Sequence, residues 1–187
     1  VRNYINFEKI HIVNVKGYAL WKGNNSSLKV EGFENLDKFE DIKSKLENIP
    51  YDNFYETKRD NIFFKAAIKN ILGEPDVYLL LYIKKIFSFY FFDINSTYKN
   101  YYHFMHIVPI ALISILSLPG LVIFLRSKDF HQRYLMIYLT IYILIFSLFF
   151  ILPRYKLAIL PIQIILSTFS VNYLLNKLIL GIKKIIR

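Results

Sequence analysis

The 187-residue chain has no cysteine, and it contains only six glycines and six prolines. Without cysteine it has neither a disulfide framework nor a thiolate site. Acidic residues are also scarce, since 14 Asp and Glu stand against 24 Lys and Arg, for a net charge of +10. This excess does not require nucleic acid as a partner, because a basic cytoplasmic flank and an outer surface near anionic lipid account for it.

Long apolar runs are the main feature that the chain does have. They lie near 107–125, 134–152 and 157–179, and they carry no charge before Lys177. Each run has about the 20 residues with which a helix crosses roughly 30 Å of hydrocarbon. The sequence therefore predicts three transmembrane helices in a domain spanning residues 105–187.

The cations between and after these runs predict the orientation. The connection 126–133 and the tail 177–187 are both basic, and two spans separate them, so they share one side of the membrane. By the positive-inside rule that side is cytoplasmic. We therefore expect an integral protein of the plasma (inner) membrane of a bacterium or archaeon. Residues 1 to about 104 and the connection with Arg154 and Lys156 then face outward.

The outer half is predicted to be a small α+β segment over residues 1–75. Two short strands are expected at Ile10–Val13 and Tyr18–Trp21, because both clusters are rich in β-branched and aromatic residues. From Tyr55 the apolar residues recur at helical spacing, which predicts an amphipathic helix ended by Gly73 and Pro75. With the spans, the fold class is a mainly α, polytopic membrane protein fragment.

Residues 76–104 are interpreted as an interfacial helix followed by a loop. The run 76–92 is strongly apolar, but Lys84 and Lys85 lie at its middle. A membrane span would place both ammonium groups near the bilayer centre, at a cost of about 2.5–3.5 kcal/mol each. An interfacial helix with snorkelling lysines avoids that cost. The alternative, a fourth span, would move the N-terminal segment to the cytoplasm.

Arg154, Tyr155 and Lys156 are the candidate binding residues. They lie between two predicted spans, where a lipid phosphate would meet the membrane surface. Arginine can hold phosphate oxygens through its planar fork, lysine adds a compact charge, and Tyr155 could cover the site. The alternative is that these side chains only anchor the span ends. His103 and His106 make an incomplete metal site and are interpreted as interfacial side chains packed with tyrosines.

Five segments of the chain, taken in order, resemble a known family. They are Val1-Arg2-Asn3-Tyr4, then Lys16 to Asn25 with Trp21-Lys22-Gly23-Asn24-Asn25, then Tyr55 to Asp60, then Glu74-Pro75-Asp76-Val77-Tyr78-Leu79, and finally Leu152-Pro153-Arg154-Tyr155-Lys156-Leu157 with Pro161. Together they are similar to the C-terminal part of the glycosyltransferases of the dolichyl-phosphate-mannose protein mannosyltransferase and aminoarabinose transferase superfamily.

The resemblance implies a GT-C enzyme that takes a sugar from a polyprenyl-phosphate donor and passes it to a lipid, glycan or protein on the outer membrane face. It also implies that the catalytic base, and any divalent metal, belong to an N-terminal part. We therefore expect this chain to be the C-terminal portion of a longer protein. Alone it would be inactive, with no catalytic residue and no cofactor. The alternative is a non-catalytic assembly module or a fragment of a transporter of lipid-linked oligosaccharides.

Overall fold

The computed structural model describes residues 15–98 and 101–185. This part of the chain is mainly helical and contains no β-strand. It forms two units, one of residues up to Lys85 together with Phe146–Ile151, and the other of Ile86–Ile145 with the described residues from Leu152 onward. The helices are α1 (Lys16–Gly23), α2 (Glu40–Glu47), α3 (Tyr55–Gly73), α4 (Pro75–Tyr90), α5 (Phe104–Arg126), α6 (Phe130–Ser147) and α7 (Leu160–Ile185), with 3₁₀ turns at Leu36–Lys38 and Pro153–Ala158.

The second expected strand is wrong, because Tyr18–Trp21 lies within helix α1. The first, Ile10–Val13, falls outside the described residues. Helix α1 has no side-chain cap of its own, since its N-cap residue is Val15. Instead Asp60 of α3 accepts hydrogen bonds from the Gly17 and Tyr18 amides, at 3.0 and 2.9 Å. A distant carboxylate thus satisfies the free amides at the helix start.

The predicted amphipathic helix is confirmed as α3, which runs from Tyr55 to Gly73. Its apolar face carries the fully buried Phe63 and Ala67, which form a core with Trp21 of α1 and Ile42 of α2. The Trp21 and Phe63 ring centroids lie 4.8 Å apart. Burying rings of this size supplies much of the favourable free energy that holds these short helices together.

A buried lysine ties α4 to the rest of the first unit. Lys85 has no exposed surface, and its Nζ donates to Asn24 Oδ1 at 3.0 Å. Asn24 in turn donates to the carbonyl oxygens of Leu20 and Leu148, both at 2.8 Å. The expectation of two snorkelling lysines therefore fails at Lys85, whereas Lys84 is exposed. Burial lowers the pKa of Lys85 to about 7.

In the second unit, α5 and α7 pack side by side and run parallel. Ser167 Oγ of α7 donates to the Ile113 carbonyl of α5, and further along both helices the Phe124 and Phe169 rings lie 4.9 Å apart. Gly120 allows this close approach, because a Cβ there would lie 2.1 Å from the Leu166 carbonyl oxygen. Small residues commonly permit such contact between membrane helices.

Two of the described helical segments, Phe104–Arg126 and Leu160–Ile179, are long and apolar enough to cross a membrane. Only 22% of the most apolar stretch of each is buried within the protein, so most of each stretch is not covered by other described residues. The predicted span at 134–152 corresponds to α6, which ends at Ser147. Residues 148–151 are not helical and form hydrogen bonds within the first unit. The Ile151 amide, for example, donates to the Val30 carbonyl at 2.9 Å.

Candidate functional site: a basic turn

The predicted binding residues lie in the 3₁₀ turn Pro153–Ala158, called the basic turn below. Pro153 is its first residue, where a missing amide costs nothing and the fixed φ suits the turn. The Tyr155 amide donates to the Leu152 carbonyl at 3.0 Å, and the Ile159 amide donates to the Lys156 carbonyl at 3.1 Å. With three residues per turn, the two cations point in different directions.

A small open pocket of about 160 Å³ lies beside the basic turn. This is below the 300–1,000 Å³ of sites that enclose whole small molecules, so it suits a group such as a phosphate rather than a sugar and its carrier. Its walls are apolar apart from three nitrogen-bearing side chains. The lining residues are His106, Ile110, Pro153, Arg154, Lys156, Leu157 and Leu160.

Lys156 is the buried cation of this pocket. Its side chain is 8% exposed, and its Nζ lies 3.2 Å from Ser114 Oγ of α5. Within residues 15–98 and 101–185, no carboxylate lies within ion-pair distance of that ammonium. Burial without a counter-charge disfavours the protonated amine, and this lowers the pKa of Lys156 to about 7.

Ser114 belongs to a polar cluster at the level of the pocket. Its hydroxyl accepts from Lys156 and donates to the Tyr90 carbonyl at 3.0 Å. Gln163 Nε2 of α7 donates to the same carbonyl at 2.8 Å. Gln163 Oε1 is buried without a hydrogen-bond partner in the described part of the chain. The bond to the Tyr90 carbonyl fixes the Ser114 hydroxyl, which accepts from the Lys156 amine.

Arg154 and Tyr155 are placed differently from Lys156. Arg154 is exposed at the pocket edge, and its guanidinium lies 5.6 Å from the centroid of the Tyr155 ring. Such a contact limits the freedom of the guanidinium without consuming its hydrogen-bond donors. Tyr155 is half-buried and does not line the pocket. The structure therefore brings Arg154 and Lys156 to one pocket and leaves Tyr155 beside it.

His106 also lines the pocket, which the sequence did not predict. It is exposed, and its ring centroid lies 5.6 Å from that of Tyr101. His103 instead caps α5, since its Nδ1 accepts from the Met105 amide at 3.3 Å. Among the described residues, no group of three or more His, Asp or Glu side chains is placed to hold a metal ion. The pocket thus gathers nitrogen donors suited to an anion.

Comparison with known proteins identifies no relative. No protein-family model, no curated protein and no solved structure matches the chain.

Proposed function

We propose that the chain is the C-terminal region of an integral-membrane glycosyltransferase. The enzyme would move a sugar from a polyprenyl-phosphate donor to a lipid, glycan or protein acceptor on the outer membrane face. The observation that carries this proposal is the pocket at the basic turn, where Arg154 and Lys156 adjoin apolar walls. A prenyl phosphate would match both features, because its anionic phosphate lies at the membrane surface and its apolar chain lies in the hydrocarbon.

A third span completes the proposed membrane domain. Helices α5 and α7 are parallel, so if both cross the membrane, the chain must return across it between them. Helix α6 is the helix between them, and its 18 residues measure about 27 Å, close to the thickness of the hydrocarbon. The non-helical residues 148–152 then carry the chain to the basic turn. This connectivity supports three spans although α6 is shorter than the expected run.

The charge distribution supports an outward-facing basic turn. The connection after α5 holds Arg126, Lys128 and Arg133, and the positive-inside rule assigns it to the cytoplasm. The basic turn follows the next span and therefore lies outside. Helix α4 would lie in the outer interface, since Leu79, Leu80 and Ile83 are each more than half exposed while Lys85 is buried.

Within this arrangement the two cations would act on the donor phosphate. The exposed Arg154 guanidinium can bind two phosphate oxygens at once, and Lys156 places a second nitrogen at the pocket wall. As the glycosidic bond breaks, negative charge develops on the leaving phosphate, and nearby fixed cations stabilise it. The acidic base that activates the acceptor, and any divalent metal, would come from another part of the protein.

The phosphate-binding role is tested by a conservative change at Arg154. In the intact enzyme, reconstituted in liposomes, we expect Arg154→Lys to raise the donor KM by at least about tenfold, because lysine keeps the charge but loses the planar fork. Arg154→Ala should be worse, and Lys156→Ala should also impair transfer. Arg126→Lys is the matched control, since this arginine is exposed at the other end of α5.

Two results would contradict the proposal. The first is an intact protein without transfer from any prenyl-phosphate sugar, which would favour a non-catalytic assembly module. The second is unchanged kinetics of the Arg154→Lys variant, which would indicate that the basic turn only anchors the chain at the membrane surface. Orientation is checked separately with single cysteines at Ser26 and Lys128, both exposed in this naturally cysteine-free chain. An impermeant thiol reagent should label the first and not the second in intact cells.

A further inference from the structure

Lys85 and Lys156 are the two buried cations of the described residues, and of these Lys156 lines the pocket at the basic turn. It is 8% exposed and lines a pocket, and its hydrogen-bond partner is the neutral Ser114 hydroxyl. A charged ammonium in such a place loses most of its hydration, and no described carboxylate lies close enough to compensate it. The missing compensation would be supplied by an anion in the pocket.

We propose that phosphate binding at this pocket is linked to protonation of Lys156: at pH 8 the amine is mostly neutral while the pocket is empty, and it takes up a proton when an anionic phosphate enters. The proton comes from bulk solvent and forms a third N–H bond on Nζ, so no other group changes. The inference rests on the proposed function, since it concerns the same phosphate site. It assigns Arg154 the permanent charge and Lys156 the charge that appears with the ligand.

The surrounding groups support this division. Arg154 of the same turn carries a guanidinium, and Tyr155 beside it is a phenol that carries no positive charge. Helix α5 contributes Ser114, which does not titrate, and His106, which lines the pocket mouth. Tyr90 takes part through its main-chain carbonyl. The competing titratable group is therefore His106, and the experiment must separate it from Lys156.

The burial of Lys156 also sets the expected size of the effect. With a pKa of about 7 in the empty site, the amine is mostly neutral at pH 8 and mostly charged at pH 6. If the bound anion keeps it charged up to pH 9, binding takes up about 0.9 proton at pH 8 and about 0.1 at pH 6. The Kd would then rise about 100-fold between pH 6 and pH 9.

The test uses the intact protein in nanodiscs and farnesyl methyl phosphate as the probe. This phosphodiester keeps one negative charge from pH 5 to 9, so the probe itself does not titrate. Calorimetry in buffers of different ionisation enthalpy gives the number of protons taken up. We expect about 0.9 proton per probe at pH 8 for the parent protein and for His106→Gln. Lys156→Arg should bind with near-zero uptake and a Kd that varies less than threefold.

The outcomes separate this inference from the proposed function. Probe binding by the parent without proton uptake at pH 8 would overturn the linkage and leave the phosphate site intact. Loss of the uptake in His106→Gln would overturn it too, since the histidine would be the titrating group. No binding of the probe at any pH would overturn both. If Lys156→Arg does not fold, retained uptake in His106→Gln still supports Lys156 as the proton acceptor.

Discussion

Gly120→Ala tests the packing of α5 against α7, on which the position of the pocket depends. The added Cβ would lie 2.1 Å from the Leu166 carbonyl oxygen and 2.9 Å from Ser170 Oγ. The backbone oxygen cannot rotate away as a side chain can. Cβ atoms essentially never lie closer than 3.0 Å to a heavy atom of another residue. The two helices must therefore separate locally by about 0.9 Å. Overpacking of this kind typically costs about 1–3 kcal/mol.

Gly73→Ala is the matched control for this experiment. Gly73 is the last residue of α3, and nothing lies within 4 Å of a Cβ built there. The same chemical change should be neutral or stabilising by up to about 1 kcal/mol, because alanine favours the helix more than glycine does. We would measure the apparent melting temperature of the intact protein in one detergent. Equal melting temperatures for the two variants would refute the close contact at Gly120.

Two further predictions concern the first unit, where Trp21, the only tryptophan of the chain, reports unfolding through its fluorescence. Asp60→Ala should lower the free energy of unfolding by about 1–2 kcal/mol, because two amides of α1 lose their acceptor; an unchanged unfolding midpoint would refute the capping role. For Lys85, burial lowers the pKa in the folded state to about 7, below the ordinary value of 10.5, so the unfolded state binds more protons above pH 7. Stability should therefore rise by about 2 kcal/mol between pH 7 and pH 9. Lys85→Met should flatten this rise, whereas the exposed Lys84→Met should leave it unchanged, and equal slopes in both variants would contradict the assignment.

The sequence predicted the elements that are set by local pattern. The helix from Tyr55 to Gly73 has both its periodicity and its stop signals in its own residues, and the apolar runs at 107–125 and 157–179 coincide with long helices. Helix α1 was missed because the carboxylate that caps it, Asp60, lies 43 residues away. Local composition favoured a strand there, whereas the contact with the distant Asp60 stabilises a helix.

The sequence predicted which cations share the basic turn but not how each side chain is placed. The pairing of Arg154 with Lys156 follows from two cations in a short connection between apolar runs. Spacing alone could not reveal that Lys156 is buried against Ser114 while Arg154 is exposed, because this depends on how α5 packs. The same holds for Lys85, whose acceptor Asn24 lies 61 residues earlier. Such contacts between distant residues leave no periodic signal.

The central claim is that the basic turn binds the phosphate of a lipid-linked donor. The most direct measurement is photo-crosslinking of a diazirine-bearing prenyl phosphate to the intact protein, followed by peptide mapping. We predict labelling next to Arg154 at Leu157 and Leu160, which form the apolar pocket wall. Unlabelled prenyl-phosphate sugar should compete with it, and Arg154→Ala should abolish it. Uniform labelling along the lipid-exposed faces of α5 and α7, without competition, would contradict the account.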